Sequence, residues 1–163
     1  MEFLDMETVP PVSRFTPDGD AAVESRIGCD QQLIATAVMD AVPAPHFGAL
    51  VLIGGYARGE GGFRHVEGKP EPYNDYDYFV VVRGMSHAAI QTLKATLLEL
   101  GHSLTDRVGV EVDLAVLKEE ALPTAEYSLM HAEMLWGHRV VAGEATILEA
   151  MPPMPFDGLG LAE

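Results

Sequence analysis

Apolar residues along the chain alternate between helical and strand periods, and this alternation predicts an α/β domain. Between Ile27 and Ala41 they recur every three or four positions, which is typical of an amphipathic helix, and Pro43 closes the pattern. The next apolar run, over 49–53, is short and rich in β-branched residues, as in a buried strand, and it ends at two glycines.

The middle of the chain continues this alternation. Residues 61–74 are rich in glycine, proline and charge, which predicts an extended loop, and aromatic and β-branched residues over 73–82 predict a strand. Ser86 is a suitable N-cap for the amphipathic helix that follows, and Gly101 is expected to end that helix.

The last third is predicted to contain a strand over 108–117, a further helix, and a short strand over 139–141. The helix is indicated by four residues, Tyr127, Met130, Met134 and Leu135. The chain therefore divides into a loose N-terminal lead-in over 1–25, one domain over 26–145 and a tail over 146–163. We expect the domain to be a small mixed β-sheet backed by helices, and we interpret the proline-rich tail as the start of a second domain.

Charge limits the partners of the protein. Its 163 residues include 10 Lys and Arg against 25 Asp and Glu, a net charge of −15. So acidic a chain repels nucleic-acid phosphates and anionic membrane surfaces, so neither is an expected partner of this piece. A single cysteine, Cys29, excludes an internal disulfide, and neither a signal peptide nor a membrane span is evident. We expect a cytoplasmic protein.

Acidic residues recur with a period of two on two predicted strands. Asp75 and Asp77 leave the same face of one strand, and Glu111 and Asp113 the same face of another. If the strands are neighbours, the carboxylates form one patch that repels itself unless cations neutralise it, and oxygen ligands favour Mg²⁺ or Mn²⁺. The same spacing fits a solvated face of a sheet equally well.

The glycine pair at the end of the first strand suits a phosphate. Gly54 and Gly55 lead into a short predicted helix that carries Arg58, so backbone N–H groups and a guanidinium occur on one turn. The alternative is an ordinary turn in which Gly55 permits a positive φ and Arg58 pairs with Glu60. The glycine spacing matches neither a Walker loop nor a dinucleotide-binding fingerprint.

Three segments, taken in this order, resemble the nucleotidyltransferase superfamily that includes DNA polymerase beta. They are Gly54-Gly55-Tyr56-Ala57-Arg58-Gly59-Glu60, Asn74-Asp75-Tyr76-Asp77-Tyr78 and Val112-Asp113-Leu114. Their closest similarity is to its small-molecule and minimal nucleotidyltransferase branch, and the resemblance covers roughly residues 50–143. Each segment by itself is a weak signal, whereas their joint order is fairly specific.

The resemblance implies a nucleotidyltransferase core and a metal-dependent reaction. Asp75 and Asp77 would bind two Mg²⁺ ions, with Mn²⁺ as a substitute, that hold the triphosphate of an NTP, for which ATP is the expected choice. Asp113 would bind the second ion or take a proton from the acceptor hydroxyl, and Gly54 and Gly55 would line the triphosphate. The enzyme would transfer a nucleoside monophosphate to a hydroxyl of a small molecule or a protein and release pyrophosphate.

The sequence departs from the family pattern at three places. Gly55 stands where this branch usually has serine, Tyr76 and Tyr78 replace aliphatic residues, and the 56–74 spacing is long enough to add a loop at the mouth of the site. The alternative function is a non-catalytic nucleotide-binding or interaction module, in a toxin–antitoxin pair or as a regulatory domain. Glu111 ranks below Asp113 as a ligand.

Overall fold

The computed structural model describes residues 14–126 and 128–153 as a four-stranded mixed sheet packed by helices, with a separate two-stranded sheet. The helices are α1 (Ala21–Ala41), α2 (Gly54–Arg58), α3 (His87–Val108) and α4 (Leu129–Trp136). The strands are β1 (Phe47–Ile53), β2 (Phe63–Val66), β3 (Lys69–Pro72), β4 (Tyr76–Val82), β5 (Val112–Lys118) and β6 (Arg139–Gly143). The predicted fold class is confirmed. Across the described ranges, no helix has the length and apolar character needed to cross a bilayer.

The strand order β5-β4-β1-β6 brings three chain segments to the end of the sheet where β1 finishes and β4 and β5 begin. Strand β1 is antiparallel to β4 and β6, and β4 is parallel to β5. The end of β1 therefore lies beside the start of β4, and the start of β5 lies on the other side of β4. The glycine pair after β1 and the acidic residues of β4 and β5 consequently meet at this end of the sheet.

The two faces of the sheet bury separate apolar clusters. Leu50 and Leu52 of β1 belong to the larger cluster, which packs against α1 and α3. The intervening residues, Ala49, Val51 and Ile53, belong to the smaller cluster, which includes residues of α4. This alternation is why β1 is apolar at nearly every position, since both of its faces are covered.

Helix α1 begins at Ala21, so the prediction of a loose lead-in is wrong for residues 21–25. The side chain of Asp20 accepts two N–H groups of the first turn (2.9 and 3.1 Å) and thereby caps the helix. The carboxylate of Glu24 accepts the backbone N–H and the hydroxyl of Thr16 (2.9 and 2.7 Å), which holds the preceding segment against the helix. Residues 1–13 of the predicted lead-in lie outside the described residues.

The predicted loop over 61–74 contains the hairpin of β2 and β3. Its two turn residues, Glu67 and Gly68, both have positive φ (51° and 78°), as the tight hairpin turn that matches strand twist requires. Strand β3 packs against α1. Strand β4 starts at Tyr76 and not, as predicted, at Tyr73.

Helix α3 continues through Gly101, which the sequence analysis expected to end it. The N-cap prediction at Ser86 is confirmed, because its hydroxyl accepts the Ala89 N–H (3.2 Å). The helix ends at Val108, followed by Gly109 in the left-handed conformation (φ 81°). Residues 108–111, predicted as strand, therefore lie before β5.

The predicted helix and strand of the last third are present as α4 and β6. Of the four residues that indicated the helix, Tyr127 lies outside the described residues, as do residues 154–163 of the tail. Ile147 and Leu148, from the start of that tail, are buried in the smaller apolar cluster beside β1.

Candidate active site

The register of β4 and β5 places two of the predicted carboxylates side by side. Asp77 is paired with Asp113 across the parallel strands, and neighbouring residues in register present their side chains on the same face. Asp77 is half-buried and Asp113 is exposed. The condition set by the sequence, that the two acidic strands be neighbours, is met.

The glycine turn lies directly against this pair. Ile53, the last residue of β1, is paired with Asp77, and a Cβ added to Gly54 would lie 3.6 Å from Oδ2 of Asp77. Gly54 has a φ of 78°, whereas Gly55 does not have a positive φ. The positive φ that the alternative reading assigned to Gly55 therefore belongs to Gly54, and the backbone at Gly55 accepts a side chain.

Asp75 lies one residue before β4 and is exposed, as is Glu111 one residue before β5. Both are close enough to Asp77 to act on its ionisation. The pKa of Asp77 is raised, first by burial and then by the negative charges of Asp75, Asp113, Glu133 and Glu111. A half-buried carboxylate among like charges is stabilised by a bound cation.

Glu133 of α4 is a site residue that the sequence analysis missed. Together with Met130, one helical turn earlier, it lines a cavity of about 240 Å³ that also contains Asp77, Phe79 and Asp113. In the sequence, Glu133 occurs only in a His-x-Glu pair that lacks the cysteines of a zinc deaminase. The usable signal was its spacing of three from Met130, which places both on one helix face.

Arg58 connects the glycine turn to α4. Its Nε lies 2.9 Å from Oε2 of Glu60, and its Nη1 lies 3.3 Å from Oε1 of Glu133. The Arg58–Glu60 pair considered in the sequence analysis is therefore present. The guanidinium is directed at two carboxylates, one of which, Glu133, lines the cavity that also contains Asp77.

The donor set suits a hard divalent cation held by few protein ligands. Within residues 14–126 and 128–153, no three His, Cys, Asp or Glu side chains are grouped so as to hold a metal ion by themselves. Mg²⁺ is commonly bound by one or two carboxylates together with substrate phosphates and water. The adjacent pair of Asp77 and Asp113, both supplying oxygen, fits that mode of binding.

The sequence of this chain matches no protein-family model, and a search of curated proteins finds no match either. The assignment of function therefore depends on the motifs and on the geometry of the site.

Proposed function

We propose that the protein is a metal-dependent nucleotidyltransferase, which moves a nucleoside monophosphate from an NTP to a hydroxyl group. The observation that carries the proposal is the pairing of Asp77 with Asp113 on adjacent parallel strands, with the backbone of Gly54 against the Asp77 carboxylate. The three segments of the resemblance are far apart along the chain, yet they meet at one end of the sheet.

The residues at this end of the sheet would have distinct roles. Asp75 and Asp77 would hold the cations that carry the triphosphate, and Gly54 and Gly55 would allow the phosphates to approach the turn. The bound cations would neutralise the phosphates and stabilise the attacking and leaving oxygens. Asp113 would bind the second cation or accept the proton of the acceptor hydroxyl.

The reaction is balanced without a further reactant. The acceptor oxygen forms a bond to the α-phosphorus of the NTP, and the bond from that phosphorus to the bridging oxygen breaks. Pyrophosphate leaves, and the hydroxyl proton passes to Asp113 or to solvent. Positioning and charge neutralisation supply most of the rate in such transfers.

Calorimetry with ATP and Mg²⁺ tests the proposal. We expect the wild type to bind ATP only when Mg²⁺ is present, and the double variant Asp75→Asn with Asp77→Asn to give no binding heat. Asp40→Asn is the matched control, because Asp40 is an exposed residue of α1. Metal-dependent binding that is unchanged in the double variant would refute the site.

A non-catalytic nucleotide-binding or interaction module is the second candidate. The ion pairs of Arg58 with Glu60 and Glu133 favour it, because the guanidinium is directed at carboxylates of the chain. Incubation with an α-labelled NTP, Mg²⁺ and a cell extract separates the two candidates. Label transfer with pyrophosphate release, both lost in Asp113→Asn, supports the enzyme, and nucleotide binding with neither product supports the module.

A further inference from the structure

Strand β5 forms one edge of the four-stranded sheet, and no strand from the described part of the chain pairs with its outer side. It is seven residues long and contains no proline. An open edge of this length offers unpaired backbone groups to another strand, which is how many proteins bind extended peptides.

The hydrogen-bonding pattern identifies which residues of β5 face outward. Tyr76 is paired with Val112, and its N–H donates to the carbonyl oxygen of Glu111 at 2.8 Å. Since successive residues of a strand direct their backbone groups to opposite sides, the odd-numbered residues bond to β4. Leu114 and Val116 therefore direct their N–H and C=O groups to the open edge.

Helix α3 supports this assignment and bounds the space beside the edge. The outward N–H of Val112 donates to Oγ1 of Thr105 (3.0 Å), and a Cβ on Gly101 would lie 2.8 Å from the carbonyl oxygen of Val112. The helix thus closes the edge at Val112 and leaves Leu114 and Val116 open.

Between the helix and the strand lies a groove of about 560 Å³. It has both apolar and polar walls, including Leu97, Leu98, Lys94 and His102. Leu98 is 59% exposed within it. An extended segment with apolar and polar side chains on alternate faces fits such a groove, since its backbone would pair with β5 while alternate side chains contact α3.

Charge indicates what kind of segment binds. Two exposed acids line the groove, Glu111 just before β5 and Asp113 on it, against one lysine, Lys94, and the whole chain has a net charge of −15. A second copy of the chain is repelled by this charge, whereas a cationic segment is attracted and oriented by it.

We propose that the outer edge of β5 binds an extended, positively charged segment of another protein, which adds a fifth strand to the sheet. The residue of that segment opposite Asp113 would be about 5 Å away between Cβ atoms, on the face that carries Asp77. In this last step the inference rests on the proposed function: a hydroxyl side chain at that position is the acceptor, and Asp113 takes its proton.

The probe is a fluorescein-labelled nonapeptide that alternates lysine and valine around a central serine. Anisotropy is measured with the full chain at low salt, without nucleotide or Mg²⁺. We expect saturable binding, which is lost when every lysine is replaced by glutamate. In ¹⁵N spectra, the amide signals of Leu114 and Val116 are expected to shift more than those of the opposite edge strand, β6.

Backbone methylation tests strand pairing without changing the protein. One peptide is N-methylated on every lysine and a second on every valine, so only one of them blocks the side that pairs with β5. We expect at least a tenfold difference in affinity between them. Equal affinities, or amide shifts that spare β5, would overturn the proposal.

Variants of β5 provide a second measurement. Val116→Pro removes an outward N–H while keeping the bonds to β4, and edge strands tolerate proline in that position. We expect it to weaken peptide binding at least tenfold, and Val116→Ala, which keeps the N–H, by less than threefold. Sedimentation that shows a dimer of the chain, abolished by Val116→Pro, would instead assign the edge to self-association.

The binding and transfer measurements fail independently. Peptide binding without label transfer from an NTP supports the docking site at β5 and refutes the acceptor step. Label transfer to other molecules in an extract, with no binding of the peptide at β5, supports the proposed function and refutes the docking site.

Discussion

Gly101 allows α3 to approach β5 closely, and replacing it with alanine should force the two apart. A Cβ on Gly101 would lie 2.8 Å from the carbonyl oxygen of Val112, a backbone atom that cannot rotate away. Gly28, inside α1, provides a matched control, because nothing lies within 4 Å of a Cβ added there. Both glycines lie in helix interiors, so the same substitution changes helix propensity equally.

The expected magnitudes follow from two opposing effects. Glycine to alanine in a helix interior stabilises by about 1 kcal/mol. Overpacking typically costs about 1–3 kcal/mol. Gly28→Ala should therefore raise the free energy of unfolding by about 1 kcal/mol, and Gly101→Ala should lower it by up to about 2 kcal/mol. In a chain of 163 residues, 1 kcal/mol corresponds to a change in Tm of about 2–4 °C.

Urea unfolding followed by far-UV circular dichroism measures both variants. The comparison is valid where the dependence of the free energy on urea is the same in all three proteins. If Gly101→Ala stabilises the protein as much as Gly28→Ala does, the close contact between α3 and β5 does not limit side-chain size at this position.

Four further substitutions test the site and its support. The pKa of Asp77 is raised, first by burial and then by nearby carboxylates. At pH values above the ordinary pKa of 3.8, the folded state therefore binds more protons than the unfolded state does. The free energy of unfolding in metal-free buffer should therefore fall as the pH rises through the raised pKa. Urea titrations should show a smaller fall for Asp77→Asn than for the wild type. If the fall is the same in both proteins, groups other than Asp77 cause it. Tyr76→Phe removes the hydrogen bond to Oδ2 of buried Asp30 (3.0 Å) and should cost about 1–3 kcal/mol in the same assay, whereas a cost below about 0.5 kcal/mol would contradict its role. Gly54→Ala, at a φ of 78°, should cost about 1–2 kcal/mol in thermal unfolding, and Gly55→Ala less than about 0.5 kcal/mol, so equal losses would refute the assignment of the strained position.

Some boundaries could not be predicted because the residues that decide them are distant in sequence. Gly101 has the residue type of a helix end, but it lies inside α3 because its missing side chain makes room for β5. The sequence predicts a loop where the hairpin of β2 and β3 lies, since its turn at Glu67 and Gly68 is a weak signal beside the surrounding glycine, proline and charge. Tyr76, a departure from the aliphatic pattern, is explained by a partner on α1, Asp30.

Most residues of the candidate site could be predicted from the sequence, but their proximity could be predicted only on the condition that the two acidic strands are neighbours. The spacing of two predicted one face for Asp75 and Asp77 and one face for Glu111 and Asp113, but it could not show that the two strands are neighbours. In the structure Asp77 and Asp113 are paired, whereas Asp75 and Glu111 lie just before the strands. Glu133 enters the site only because α4 packs on that face, so the sequence offered only a weak hint of it.

Hydrophobic periodicity in the amino-acid sequence was sufficient to predict the type and order of most elements, because it records which face of a helix or strand is buried. The sequence also showed which chemistry the chain carries: paired carboxylates, a glycine turn and a strongly acidic surface. Which strands are neighbours is known from the tertiary structure alone, since periodicity contains no information on strand order. That order pairs Asp77 with Asp113, brings the glycine turn against them, and leaves β5 as an open edge.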